Sequence, residues 1–192
     1  MNRRNALIVV PASLCLFPLG CEAGGVGDPC TPEEEYRADF SGFSDTKAAV
    51  ESGSFQCKTR LCLVNFFQGR TSCPYGQTED DIERGPNAYR CRVPGTTDEW
   101  ITVPVAPQLT GRRSDQTVYC SCRCQNAEGR TDDGARYCAC PTGYDCEKLF
   151  DAFGSTKQQV AGYYCIKHGT AYDPEALGSP CNRQAGDCEP GR

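Results

Sequence analysis

Tyr119-Cys120-Ser121-Cys122-Arg123-Cys124 (YCSCRC) and residues 137–146 (YCACPTGYDC) place six cysteines within 28 positions. Thiols at that density in an oxidising compartment pair into disulfides, so these two stretches predict a stapled fold. Extended backbone points alternate side chains to one face, which aligns the sulfurs of each Cys-x-Cys. The reading that follows is a hairpin, with strands over 117–124 and 135–140 and a ten-residue connection. If Cys124 faces Cys138, then Cys122 faces Cys140 and four sulfurs share one side. Direct cross-strand bridges are sterically awkward. Most of these sulfurs are therefore expected to bond other segments, such as Cys91, Cys146 or Cys165.

Working outward, the rest of the chain cannot build an oily core. Leu, Ile, Val and Phe number 31 in 192 residues, and eight of them lie in the first twenty. The 23 that remain fall below the level of about 20% at which chains ordinarily fold on apolar burial alone. Cysteine offsets this deficit. Beyond residue 21 stand Cys30, Cys57, Cys62, Cys73, Cys91, Cys120, Cys122, Cys124, Cys138, Cys140, Cys146, Cys165, Cys181 and Cys188, fourteen in all. An even count reads as seven bridges, whose connectivity the sequence leaves open. The fold class expected is small, disulfide-rich and mainly β, with short helices and much irregular structure, in one domain. A doubly wound nucleotide-binding domain is excluded.

Local signals divide the chain further. Thr31-Pro32-Glu33-Glu34 reads as a capping box opening a short helix. Residues 54–67 (SFQCKTRLCLVNFF) read as one or two strands ending at Gly69, and 77–87 as an acidic loop. Residues 100–105 suggest an edge strand beside Pro104 and Pro107. Asp145 is expected to cap a helix running through Phe153, with Gly154 as its stop. Residues 160–167 (VAGYYCIK) form the last strand candidate, and Asp173-Pro174 marks a single turn before Gly178. No repeat period is present.

The N-terminus carries Arg3 and Arg4, then an apolar run through Phe17, the layout of a secretory signal peptide over residues 1–20. The run is shorter than the ~18 residues needed to span a bilayer. Leu19-Gly20-Cys21 resembles a bacterial lipobox, with Pro18 standing where that pattern prefers Leu. The resemblance implies a diacylglyceryl thioether on Cys21, palmitate-type acylation of the new N-terminus and a Gly-rich tether through residue 29. The competing reading is ordinary cleavage after Ala23. Both leave fourteen cysteines for a disulfide-rich domain over 30–192. As a whole the chain resembles the cysteine-rich lipoproteins of unassigned function in bacterial envelopes, a class with no catalytic residues to transfer. Residues 122–146 also resemble the closing loop of EGF-like modules, over too short a stretch to carry that fold. Glu22 after the cysteine resembles the pattern sorted to an outer membrane, with the domain facing periplasm or exterior.

The formal net charge is -5, and -7 once Arg3 and Arg4 leave with the leader. Nucleic acid is not an expected partner, because phosphate binding needs an excess of Lys and Arg. His168 is the single histidine and has no G-x-S-x-G or H-E-x-x-H motif beside it. The acids of 33–35, 79–83 and 132–133 sit in or beside turns and read as solvated. Asn126, Glu128, Asp132 and Asp133 offer the hard oxygens that Ca²⁺ takes, between Gly129 and Gly134, although a solvated loop tip explains them as well. Thiolate metal binding is weighed too, but Cys-x-Cys lacks zinc-ligand spacing and an oxidising compartment favours disulfides. Tyr163-Tyr164 reads as core and rim. No catalytic residue and no cofactor is assigned. The expected function is a membrane-anchored, non-enzymatic envelope lipoprotein, structural or binding, held to the lipid bilayer by its acyl group and meeting a protein or surface ligand. A calcium- or thiolate-metal-binding secreted module and a secreted hydrolase are the alternatives.

Overall fold

Leu61–Val64 (LCLV) is the most apolar run beyond the leader, and it is the central strand of a sheet. A computed structural model describes residues 23–85, 89–150 and 160–188. In chain order the strands are β1 (Ala49–Ser52), β2 (Leu61–Val64), β3 (Val118–Cys120), β4 (Arg123–Gln125), β5 (Tyr144–Phe150) and β6 (Gly162–Lys167). Two short helices are α1 (Glu79–Glu83) and α2 (Ser114–Thr117), and a 3-10 turn covers Glu33–Tyr36. The strands form two antiparallel three-stranded sheets, ordered β1-β2-β3 and β4-β6-β5.

Side-chain alternation along β2 and β3 sets the layers. Leu63 pairs with Tyr119, and both join Tyr164 and Ile166 of β6 in a buried aromatic-aliphatic core between the sheets. The Tyr119 hydroxyl accepts the Lys167 N–H at 2.9 Å, fixing one sheet to the other. Burial pushes the Tyr119 phenol up to about 12. Cys62, Val64, Val118 and Cys120 face the other way and pack with Cys30, Cys57 and Phe67. On the far side of the second sheet, Cys165 packs with Cys122 and Cys124. A fourth cluster of Cys73, Cys91, Val93, Ile101 and Val105 lies under irregular chain. One compact domain results.

All fourteen expected cysteines are paired: Cys30–Cys62, Cys57–Cys120, Cys73–Cys91, Cys122–Cys138, Cys124–Cys146, Cys140–Cys165 and Cys181–Cys188. Seven bridges mark an exported protein, and no helix among the described residues is long and apolar enough to cross a membrane. The expected hairpin is not present. Its first strand is split, because residues 118–125 run from one sheet into the other as β3 and β4. Its second strand is irregular, touching β4 through the Cys138 N–H on the Arg123 carbonyl at 3.1 Å. Cys122 and Cys138 bond directly, whereas Cys124 and Cys140 reach Cys146 and Cys165. Cys91 bonds Cys73 instead.

Other local readings give way to tertiary pairing. The helix expected from Asp145 is the seven-residue strand β5, because antiparallel pairing with β6 sets Cys146 opposite Cys165 and brings Leu149 and Phe150 to the inter-sheet core. Phe153 and Gly154 lie outside the described residues. Thr31 does not cap: the Gln56 side chain takes its N–H at 3.0 Å and donates to its carbonyl at 2.7 Å, and the 3-10 turn starts after Pro32. The working capping box is at Thr78 and Asp81, which opens α1 inside the stretch expected to be loop. Residues 100–105 contribute only isolated bridges, Trp100 to Arg92 and Val105 to Gln77. Within 54–67 the strand stops at Val64.

Residues 24–29, read as a tether, are fastened to the body. The Gly24 N–H donates to the Gln56 carbonyl at 2.7 Å, the Lys58 N–H to the Gly24 carbonyl at 2.8 Å, and the Gly27 N–H to the Cys120 carbonyl at 2.8 Å. Gly27 has φ +98, and any Cβ there would strike the Tyr144 hydroxyl, so the segment passes under β5 only as glycine.

Buried polar side chains hold the irregular chain where apolar residues are lacking. The Arg112 guanidinium, 3% exposed, donates to the carbonyls of Phe66 at 2.8 Å, Asn65 at 2.6 Å and Thr170 at 3.1 Å. The Arg70 guanidinium donates to the carbonyls of Glu35, Arg37 and Phe40. Glu35 was expected to be solvated, yet it is fully buried and accepts the N–H and hydroxyl of both Thr71 and Ser72.

Replacing Arg112 by Leu leaves the carbonyls of Asn65 and Phe66 without a donor, while Thr170 keeps the Asn65 amide at 2.8 Å, and is expected to destabilise the oxidised protein by about 3 kcal/mol in urea titrations. The bridges should rank by the loop they close. The Cys57–Cys120 bridge spans 63 positions and Cys181–Cys188 spans 7. On chain entropy, paired Ala replacement should cost about 4 kcal/mol for the first and about 2 kcal/mol for the second. Equal losses would show that loop closure does not set their contribution.

Candidate functional site

The concave surface of the first sheet's outer edge is built by two short segments. Phe55 and Gln56 follow the β1 strand and the Gly53 turn, and Glu33 and Tyr36 belong to the 3-10 turn. The reciprocal Gln56–Thr31 hydrogen bonds clamp these segments together. Between them lies a cavity of about 420 Å³ whose walls include Glu33, Tyr36, Glu51, Ser54 and Phe55. Thr31 and Gln56 also wall a neighbouring cavity of about 510 Å³, whose lining includes Ser72, Ser114 and Asp115. The Glu51 carboxylate accepts the Glu33 N–H at 2.9 Å. Burial raises its pKa; the Glu33 N–H opposes that shift, and the nearby Glu33 and Glu34 carboxylates add to it.

None of these five wall residues except Glu33 stands out in the sequence, where Glu33 reads as a solvated acid. The available signal was an aromatic directly after Gly53-Ser54, a turn position from which a large side chain has little core to reach. Their meeting depends on Gln56 reaching Thr31 across 25 positions.

The residues that did stand out are placed elsewhere. His168 Nε2 lies 3.3 Å from Asp145 Oδ2, with both side chains more than half exposed, and it lines neither of these two cavities. Tyr164 is core, its hydroxyl donating to the Val160 carbonyl at 2.7 Å. Sulfurs do crowd together: Cys165 Sγ lies 3.6 Å from both Cys122 Sγ and Cys138 Sγ. Each is nonetheless paired, so the cluster is stacked disulfides in which no thiolate is left to ligate a metal.

The loop over 125–134 is organised on Asn126. Its Oδ1 accepts the N–H of Glu128 at 3.1 Å and of Arg130 at 2.8 Å, and its amide donates to Asp133 at 3.1 Å. Asp133 also accepts from the Tyr137 hydroxyl at 2.6 Å and from the Ala135 N–H. Asp132 lies 3.7 Å from Arg130. The Asn126 and Asp133 oxygens that calcium would need are thus engaged within the loop. Glu128, Asp132 and Asp133 form no convergent set among the described residues.

The Tyr137 hydroxyl, then the Ala135 N–H and the Asn126 amide, hold the Asp133 carboxyl down to about 2. A depressed carboxyl supports the loop at every pH above its unfolded value of about 3.9 and loses that support as pH falls through the folded value. Carboxyl NMR titration should place Asp133 at about 2. Tyr137→Phe should move it up toward the ordinary range. An unmoved midpoint in that variant would show that the hydroxyl is not the cause.

Compared with protein-family models, with curated proteins and with solved structures, the chain finds no match in any of the three.

Proposed function

We propose that this protein is a membrane-anchored, non-enzymatic lipoprotein of a bacterial envelope with a binding or structural role. Two observations support the reading together: seven bridges, which mark an exported chain, and the lipobox-like Leu19-Gly20-Cys21 that follows the apolar leader. Cys30 through Cys188 satisfy one another in seven bridges, so the fold asks nothing of Cys21. Fourteen paired cysteines also fit cleavage after Ala23, so it is the position of Cys21 directly after Leu19-Gly20 that favours acylation. Disulfide chemistry supports the export that lipidation requires.

The fastened N-terminal segment gives this anchor a geometry. Consecutive Cα atoms are about 3.8 Å apart, so the Cα of Cys21 lies within about 11 Å of that of Gly24. Because Gly24 is bonded to Gln56 and Lys58, the acylated protein holds that loop close to the bilayer rather than swinging on a long tether. Stable anchoring takes two or more acyl chains, since one gives only reversible binding.

Fractionation of cells and mass spectrometry test the reading. The wild-type protein should pellet with membranes and its N-terminal peptide should carry the lipid mass on Cys21. Cys21→Ser should release the protein to the soluble fraction. An unmodified N-terminus at Gly24 would overturn the assignment.

A further inference from the structure

Three large apolar side chains stand exposed among the described residues: Phe55 at 83%, Tyr36 at 48% and Tyr172 at 38%. Tyr172 is used by the fold, stacked on Phe66 at 4.2 Å. Tyr36 and Phe55 instead border the same cavity of about 420 Å³. A chain so short of large apolar residues has every reason to bury them, and two left at one rim point to an occupant.

The walls define the chemistry of that occupant. Glu33 and Glu51 both line the cavity, and its lining includes no Lys or Arg. Two carboxylates call for a positive charge. Aromatic faces attract cations through the ring quadrupole. Phe55 already does this on one side, with the Arg60 guanidinium 4.1 Å from its centroid. Its exposure leaves ring surface open. A bare metal ion would be served by oxygens and would leave the rings unused. Flanking aromatics instead suit an organic cation with apolar carbon next to its charge. Ser54 lines the cavity and is 2% exposed, and its hydroxyl, sealed from solvent, has no hydrogen-bond partner within the fold. Such a buried unpaired hydroxyl is rare, and here it lies in the wall beside the two acids.

We propose that this cavity binds an alkylammonium group, with its charge between Glu33 and Glu51 and its methylene stem against Tyr36 and Phe55. Two sources carry this chemistry, a free aliphatic amine and the side chain of an exposed lysine on a peptide. The inference gives the binding role proposed above a ligand class. It rests on the cavity and not on the anchor, so fractionation of Cys21→Ser and the titration below fail independently.

The test is an NMR titration of the full-length oxidised protein, following the backbone amides of Ser54, Phe55 and Gln56. The probes are 1,5-diaminopentane and N-acetyl-lysine methylamide, with N-acetyl-norleucine methylamide as the neutral counterpart. At least one amine should saturate a single site that the norleucine probe does not occupy. Binding of the diamine alone identifies free amines as the source, and binding of the lysyl probe extends it to peptides. Glu51→Gln keeps an oxygen for the Glu33 N–H and so keeps the local fold, but should weaken binding about tenfold. Phe55→Ala, at an exposed position, should weaken it as well, whereas Glu175→Gln, remote in the chain from the cavity, should not. Absence of saturable shifts with either amine overturns the proposal. So does equal binding of the norleucine probe, or an unchanged affinity in Glu51→Gln.

Discussion

Residues 118–125 form one continuous run that serves two sheets, and its three alternating cysteines tie it to three different parts of the chain. Cys120 bonds Cys57 beside the first sheet, Cys122 bonds Cys138, and Cys124 bonds Cys146 in β5. The Ser121 N–H donates to the Leu61 carbonyl and its hydroxyl to the Cys165 carbonyl, so the residue between the strands touches both sheets. Each sheet has only three strands, and small sheets need a partner surface for stability. The shared run supplies that partner covalently. Once it is fixed, Leu63 and Tyr119 meet Tyr164 and Ile166, and the inter-sheet core follows.

Outside that core, hydrogen-bonding side chains take over the part that Leu and Ile play in larger domains. Among the described residues Arg112, Arg70 and Glu35 sit buried with no side-chain ion pair within 4 Å, although the Glu35 charge acts on Arg70, and they bond chiefly to backbone and hydroxyl groups of distant loops. A buried charge left unsatisfied would be far too costly. Satisfied charges, by contrast, hold several carbonyls at fixed positions at once, which an apolar side chain cannot do. Burial lowers the pKa of both Arg112 and Arg70 from the usual arginine value, and neither group loses its charge near neutrality. Gln77 and Gln108 act likewise, donating to the carbonyls of Val103 and Arg70. The chain over 65–78 and 89–112 is thereby ordered without a helix or strand of its own.

What the sequence conveyed and what it hid divide along this line. Cysteine count, β-rich character and the strand at 160–167 were legible, because composition and local alternation carry them. The hairpin was not, because a bend at Ser121-Cys122 sends the two halves of YCSCRC into different sheets, and alternation does not reveal such a bend. The helix at Asp145 failed for a related reason. Leu149 and Phe150 suit a helical face, but β6 offers a complete antiparallel ladder, and tertiary pairing outweighs weak intrinsic preference. Thr31 has the chemistry of a cap, and only the arrival of Gln56 diverts its backbone. The cavity was invisible for the same reason, since Tyr36 and Phe55 become neighbours through contacts between distant segments, Gln56 with Thr31 and Glu51 with Glu33.

Gln56 therefore connects features that sequence distance keeps apart. Its carbonyl accepts the Gly24 N–H, its side chain clamps Thr31, and its neighbour Cys57 is bonded to Cys120. The N-terminal attachment, the wall of the acid-lined cavity and the longest disulfide loop thus converge on residues 53–60. Those residues contain little regular structure of their own, so their shape is imposed from three sides. A loop held in this way can keep an aromatic ring in water and a hydroxyl without a partner, two arrangements that a freely relaxing loop would remove. The Cys57–Cys120 bridge, the Gln56–Thr31 bonds and the Gly24 contact together hold the exposed Phe55 and the unpaired Ser54 hydroxyl side by side.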